Sequence, residues 1–411
     1  MRPLIQNQWT GGVDNLTPAD RVPKGFVRRA VNIDATPGGE LHLRSGYEQV
    51  YAGNAVRGVL ALGDKLLIAD GPELIEFDPQ TQGVRVLRTI AGAGQFIGAV
   101  LNNTLYFQTA NESLEYDGRR VRAWGVPDVL AQPLPAVTTG GALRAGIYRL
   151  AVTFSDADGR EGGTDTPLLV TVPEGGALDV ELPAPPEGGR VNLYLGYPNS
   201  QTLYLQGQGQ GQGQGSAAMP LRVTSLRDDT RTLTTARLRA PVIGSVICAH
   251  GSQLAIAQGR VVWLTAPMRP HLLDPLRGFL QFPAEVGELM SDQTTLYVSS
   301  DVSYSLSDVA GDTPSQREIL NFPALRGSAV ILPDERCAWM TRYGQAVSVG
   351  DGSGGLQLVN RQHYAPDLTA QGAAGVIEHN GNQLIVTTTR GPQGANQLAA
   401  TDFFIGEVVR P

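Results

Sequence analysis

A strand–turn–strand phrase recurs along the chain, and it constrains the fold more than any other feature. It first runs Val59-Leu60-Ala61-Leu62-Gly63-Asp64-Lys65-Leu66-Leu67-Ile68-Ala69, then Ala99-Val100-Leu101-Asn102-Asn103-Thr104-Leu105-Tyr106-Phe107. It returns around His250-Gly251-Ser252-Gln253 and again around His379-Asn380-Gly381-Asn382. Each copy sets two apolar strands on either side of a short turn of Asn, Gly, Asp or Ser. That is the sequence form of a tight hairpin, because these residues tolerate the positive φ that such turns need. Repetition at about 40 residues per unit is the spacing of propeller blades. Two units fit within 54–133 and four more within 241–411, so the sequence predicts an all-β protein, a β-propeller of about six blades.

Residues 134–240 interrupt the series. Gly146–Ser155 alternates apolar and polar residues into an Asp158-Gly159 turn, and Val191–Tyr197 and Leu203–Leu205 alternate as well. Several short alternating strands in about 100 residues predict an inserted β-sandwich of immunoglobulin or fibronectin-III style. Its run Gln206–Gly215 alternates Gln and Gly; no side chain there can build a core, so a surface loop is expected. Residues 1–53 read as an extended arm containing one hairpin, Asn32–Tyr47, turning at Pro37-Gly38-Gly39. Closing the ring with this hairpin would remove the exposed edges of the last blade.

Composition narrows the function classes. Fifty Gly and 27 Pro supply turns throughout, and the net charge of -7 argues against binding nucleic acid through a broad basic surface. The two cysteines, Cys248 and Cys337, lack CxxC spacing and read as reduced core residues. No run approaches the about 18 apolar residues of a membrane helix, and Met1–Trp9 lacks a signal-peptide core, so accumulation in a cytoplasm is expected.

The sequence carries no catalytic constellation. His42, His250, His271, His363 and His379 stand singly, without HExxH spacing, and neither G-x-S-x-G nor a phosphate-binding loop occurs. The stretch Asp156-Ala157-Asp158-Gly159-Arg160-Glu161 resembles the start of a calcium loop, but the later ligand positions do not follow, and a turn is the plainer reading. Asp228-Asp229 and Glu285 with Glu288 are acid pairs of the kind glycoside hydrolysis uses, at a frequency chance supplies among 39 acids. No catalytic residue, metal site or cofactor is therefore assigned, and the chain is not expected to be an enzyme. The clearest charge feature is Arg21, Lys24, Arg28 and Arg29 within nine residues of an otherwise acidic chain. A solvated arm is the plainer reading, and a subunit contact is preferred over DNA among the functional ones. Trp9 is a candidate apolar anchor for that contact.

Three segments resemble β-propeller virion proteins of tailed bacteriophages, podophage tail nozzle proteins among them. They are Val31–Asp34 with Pro37–Tyr47; Asp274–Pro283 with Leu296–Ser299 and Tyr304–Leu306; and the inserted Tyr148–Glu161 with Asn192–Leu195. The resemblance implies a tail structural protein, assembled in the bacterial cytoplasm and resident in the virion. It implies a homo-oligomer, a hexameric ring in a nozzle, that contacts the tail adaptor and tail fibre or spike proteins. It further implies a conduit through which DNA passes without specific binding, which a negative charge suits. The alternative is a receptor-binding or fibre-attachment protein of the tail tip, which an exposed cluster of Tyr194, Tyr197 and Tyr204 would favour. A propeller glycosidase or lyase ranks third, since no motif supports it.

Overall fold

The computed structural model describes residues 8–389, apart from 37, 45–47, 91–93, 211–218, 293, 312, 369 and 380, together with Phe404–Ile405. The chain is all-β, apart from one 3-10 turn at Ala19–Arg21. It is built from serial antiparallel meanders of four strands, the sheet unit of a β-propeller. It divides into two compact units.

The unit that holds most of residues 55–281 contains three such sheets. Sheet 1 comprises Val56–Leu62, Lys65–Asp70, Glu73–Asp78 and Gly83–Thr89. Sheet 2 comprises Ile97–Leu101, Thr104–Gln108, Ser113–Tyr116 and Val121–Ala123. Sheet 3 comprises Val246–His250, Gln253–Gln258, Val261–Ala266 and Arg269–Leu273, with Phe279–Gln281 also paired to its third strand. The turn between the first strands of sheet 2 is the one its sequence demands: Asn102 and Asn103 take φ of 50° and 57°, the paired left-handed residues of a primed hairpin turn.

Strand alternation explains how the sheets stack. Leu105 and Phe107 share one face and join Leu67, Leu74, Phe96 and Tyr116 in a core with sheet 1. Tyr106, between them in sequence, points the other way and joins Trp124, Ile247, Leu254 and Ile256 in a core with sheet 3. The sheet is thus buried on both faces, and each fully buried large side chain contributes about 1.5–3 kcal/mol. Two polar groups fix the stacking register. The Trp124 indole donates to the Pro270 carbonyl at 2.7 Å. Buried Gln108 donates to the Val242 carbonyl at 2.7 Å and accepts from the Gly244 amide at 2.8 Å.

Between sheets 2 and 3 the chain makes two further sheets. One orders Ala136–Leu143, Gly176–Leu182 and Met219–Val223; the other orders Leu168–Val172, Gly146–Ser155, Arg190–Gly196 and Leu203–Gln210. They share one core, with Leu150, Val152, Leu193 and Leu195 from the larger sheet and Leu178, Val180 and Val223 from the smaller. This order differs from the ABED-on-CFG order of constant-type immunoglobulin domains, and the immunoglobulin or fibronectin assignment is not confirmed by it.

The Gln-Gly run departs from the expected loop. Its first residues, Gln206–Gln210, complete a strand paired to Arg190–Gly196, while 211–215 lie outside the described residues. The reason is specific bonding rather than apolar burial. Gln206 donates to the Arg227 carbonyl and accepts from the Arg227 amide, both at 2.9 Å, and Gln208 donates to Asn192 at 2.6 Å. Gly207 admits Leu221, whose methyl would lie 2.7 Å from an added Cβ.

The other unit holds most of residues 8–54 and the chain from Phe282 onward. Sheet 4 comprises Glu288–Ser291, Leu296–Ser299, Ser303–Ser307 and Ser315–Leu320. Sheet 5 comprises Val330–Ile331, Cys337–Thr341, Gly344–Ser348 and Leu356–Val359. Sheet 6 is the hairpin Ala373–His379 with Asn382–Thr388. Met290 and Tyr297 of sheet 4 pack on Cys337, Trp339 and Ala346 of sheet 5, and both cysteines of the chain are buried and free. Among the described residues the N-terminal hairpin, Ile33–Ala35 with Leu41–Leu43, pairs only with itself. The ends of the chain meet one step earlier, where Ala30–Val31 runs antiparallel to Phe404–Ile405.

Candidate subunit-contact surface

The cationic arm is folded onto its own unit, and Asp14 is the reason. Gly12–Val13 pairs in parallel with Phe26–Val27, bending the arm back on itself. At the bend Asp14 is fully buried. Its Oδ1 accepts the amides of Leu16 and Thr17 at 3.2 and 2.8 Å, and its Oδ2 accepts the Thr17 hydroxyl at 2.8 Å. Oδ2 also lies 2.9 Å from His363 Nδ1, across almost the whole sequence. Burial alone would raise the Asp14 carboxyl, but the bonds from Thr17, His363 and Leu16 outweigh it and hold the group at about 2. The Phe26 ring sits 4.3 Å from the His363 ring, and Asn15 exchanges 2.8 and 2.9 Å bonds with the backbone of Ala365.

The residues singled out in the arm separate on this scaffold. Arg21 is exposed and lies 3.6 Å from its neighbour Asp20, while Lys24 and Arg29 are also exposed. Arg28 is half-buried and donates to the Thr17 carbonyl, so it closes the arm. Trp9 is half-buried, its amide donating to the Gly39 carbonyl at 2.8 Å. Arg21, Lys24 and Arg29 are exposed cations of the arm.

The Asp156–Glu161 stretch is a junction. Glu115 of sheet 2, its side chain only 2% exposed, takes Arg122 on one oxygen and Arg160 Nη1 on the other, the latter at 2.7 Å. Arg160 also holds Asp156 at 2.7 Å and donates to the carbonyls of Ala123 and Trp124. Asp158 accepts both Arg120, at 2.8 Å, and Arg122. The hydrogen bond from Arg120 is the main influence depressing the Asp158 carboxyl. His271, beside this network, is pushed down to about 4 by burial, aided by Arg160. The two aspartates of the apparent calcium loop are thus occupied by arginine, and among the described residues no group of three acids, His or Cys could hold a metal.

The remaining acids and aromatics disperse. Glu161 is a half-buried acceptor inside the inserted domain, taking the Tyr194 hydroxyl at 2.8 Å, and Tyr194 is fully buried. Tyr197 is 44% exposed and donates to Asp228 at 2.7 Å, with the Tyr204 ring 6.3 Å away, so two of the three tyrosines form a surface pair. Glu285 is exposed whereas Glu288 is buried. Burial raises the Glu288 carboxyl to about 7 against the amides of Gly327, Leu289 and Ser328. No described helix is long and apolar enough to cross a membrane.

No family model matches the chain, and no curated protein matches it. Among solved structures, the extracellular domain of a one-component system from B. thetaiotaomicron aligns at 13% identity and a TM-score of 0.29. It covers 81% of this chain, which spans only 37% of that one. Apo AztD from Citrobacter koseri aligns at 10% identity and a TM-score of 0.32, covering 75% of this chain and 72% of its own. The Neurospora crassa Pan2 WD40 domain aligns at 8% identity and a TM-score of 0.31, covering 82% and 90%. Likenesses this weak carry nothing about function to this chain.

Proposed function

We propose that the chain is a structural protein of a bacteriophage virion, a tail nozzle or tube-end component that forms part of the DNA ejection conduit. The observation that carries the reading is the arm: folded back by the buried Asp14, it leaves Arg21 and Lys24 exposed on an acidic chain. Such a basic surface suits a neighbouring copy of net negative charge, and copies joined head to tail close into a ring. The serial sheets supply rigidity, and DNA passes with little retention because the chain as a whole repels phosphate. No turnover is proposed.

Labelling the virion tests this. An antibody against the chain should decorate the tail end of purified particles, and particles free of the protein would contradict the assignment. A second reading, receptor binding at the tail tip, draws on the exposed Tyr197 backed by the half-buried Tyr204, since aromatic faces bind sugars and protein hot spots alike. Saturable binding of monomeric protein to host cells, lost in Tyr197→Ala, would favour it.

A further inference from the structure

We infer that the groove between sheets 4 and 5 receives an extended, carboxylate-bearing segment of a partner protein, added as a strand. The groove holds about 830 Å³ and lies between Ser315–Leu320 and Leu356–Val359. Each of these is the outermost strand of its sheet among the described residues, so each presents an unpaired row of backbone donors and acceptors. Ile319, Leu320, Leu356 and Leu358 line the groove and pack onto the core beneath it, giving apolar seats for alternate side chains of an incoming strand.

Its charge selects the partner. Arg317, Arg361 and His363 line the groove with one acid, Glu318. Arg317 donates to the Ser353 carbonyl at 2.9 Å, and Arg361 lies 5.6 Å from the Tyr343 ring centre, with Arg342 at 5.0 Å from the same ring. None of these three arginines meets a carboxylate among the described residues, in contrast to the paired arginines around Glu115. Stacking on an aromatic ring holds a guanidinium in place while leaving donors open to a carboxylate. The length is also set: Ser315–Leu320 offers a six-residue edge. The inference stands apart from the virion reading, since it requires only an acidic strand.

The test uses two fluorescent synthetic peptides of alternating valine with glutamate or with lysine, titrated against the full chain by anisotropy. The glutamate peptide should bind saturably and weaken with salt, the lysine peptide should not bind, and Arg361→Glu or Arg317→Glu should each weaken binding about tenfold, the effect of losing one charge-assisted contact. Both positions are exposed, so circular dichroism melting should be unchanged and folding is controlled. Equal binding of the two peptides, no binding of either, or binding indifferent to both charge reversals would overturn the proposal.

Discussion

The inserted domain and the N-terminal arm are both peripheral pieces fastened to a blade series, yet they are fastened in different ways. The inserted domain is tied through Glu115, a buried carboxylate shared by two arginines that also grip Asp156 and Asp158. The arm is tied through Asp14, a buried carboxylate satisfied mainly by its own loop, with one imidazole from elsewhere. Losing the first acid leaves Arg122 and Arg160 one carboxylate each where they had two; losing the second leaves mostly neutral amides unpaired. Redundancy of charge makes a junction rigid, with Glu115 as its one buried acid. A locally bonded aspartate instead makes a bend that can be released without exposing buried charge.

The largest effect should come from Glu115. Glu115→Ala should destabilise the chain by about 3 kcal/mol or more, the cost of breaking a buried pair by removing one partner, measured by urea unfolding. Loss of less than that would mean that Arg122 and Arg160 find water freely, and the contrast with the arm would collapse. Glu288 sharpens the contrast, being buried with amide bonds and no ion-pair contact among the described residues. Its carboxyl is raised from its ordinary value to about 7, so the folded state binds the proton more tightly and stability falls as pH rises through that window. Glu288→Gln keeps the acceptor and removes the charge, and should therefore stabilise at pH 8 by on the order of 2 kcal/mol while changing little below pH 4.

Asp14→Ala should cost about 1–2 kcal/mol through lost hydrogen bonds and should speed amide exchange at Thr17 and Ala365 while leaving sheets 1–3 protected. Because Asp14 is depressed, its contribution is full above the ordinary aspartate range and is lost as pH falls toward about 2. The protection of the Thr17 amide, relative to its intrinsic exchange rate at each pH, should fall over that interval in the wild type and be flat in the variant. The smallest effect on stability belongs to the outward cations: Arg21→Ala with Lys24→Ala should change unfolding by less than about 0.5 kcal/mol, as surface substitutions do. Self-association should nevertheless weaken, and stability loss without loss of association would reverse the roles assigned to arm and junction.

Sheets 1–3 were legible because their hairpins announce themselves locally, through Gly63-Asp64, Asn102-Asn103 and Gly251-Ser252 between apolar strands, whereas sheets 4 and 5 were legible only as single strands. The inserted domain was legible as alternation but not as strand order, since which strands pair is decided by packing across the sequence. Gln206–Gln210 was misread because composition reports what cannot fill a core. It is silent about a glutamine that bonds a backbone 21 residues away. The arm cations were visible, but Asp14 was not, because nothing nearby in sequence marks an aspartate that will meet His363. The groove arginines 317 and 361 are spaced too widely to read as a cluster, and only the stacking of sheets 4 and 5 brings their region together.

The central claim is that this chain assembles with copies of itself through the outward face of its arm. Its mass in solution, measured by light scattering and followed by negative-stain imaging, tests that directly. The account predicts closed rings, either for the protein alone or on adding its tail partners, and their loss when Arg21, Lys24 and Arg29 are changed together to glutamate. A stable monomer that binds bacterial cells and never forms rings would contradict it.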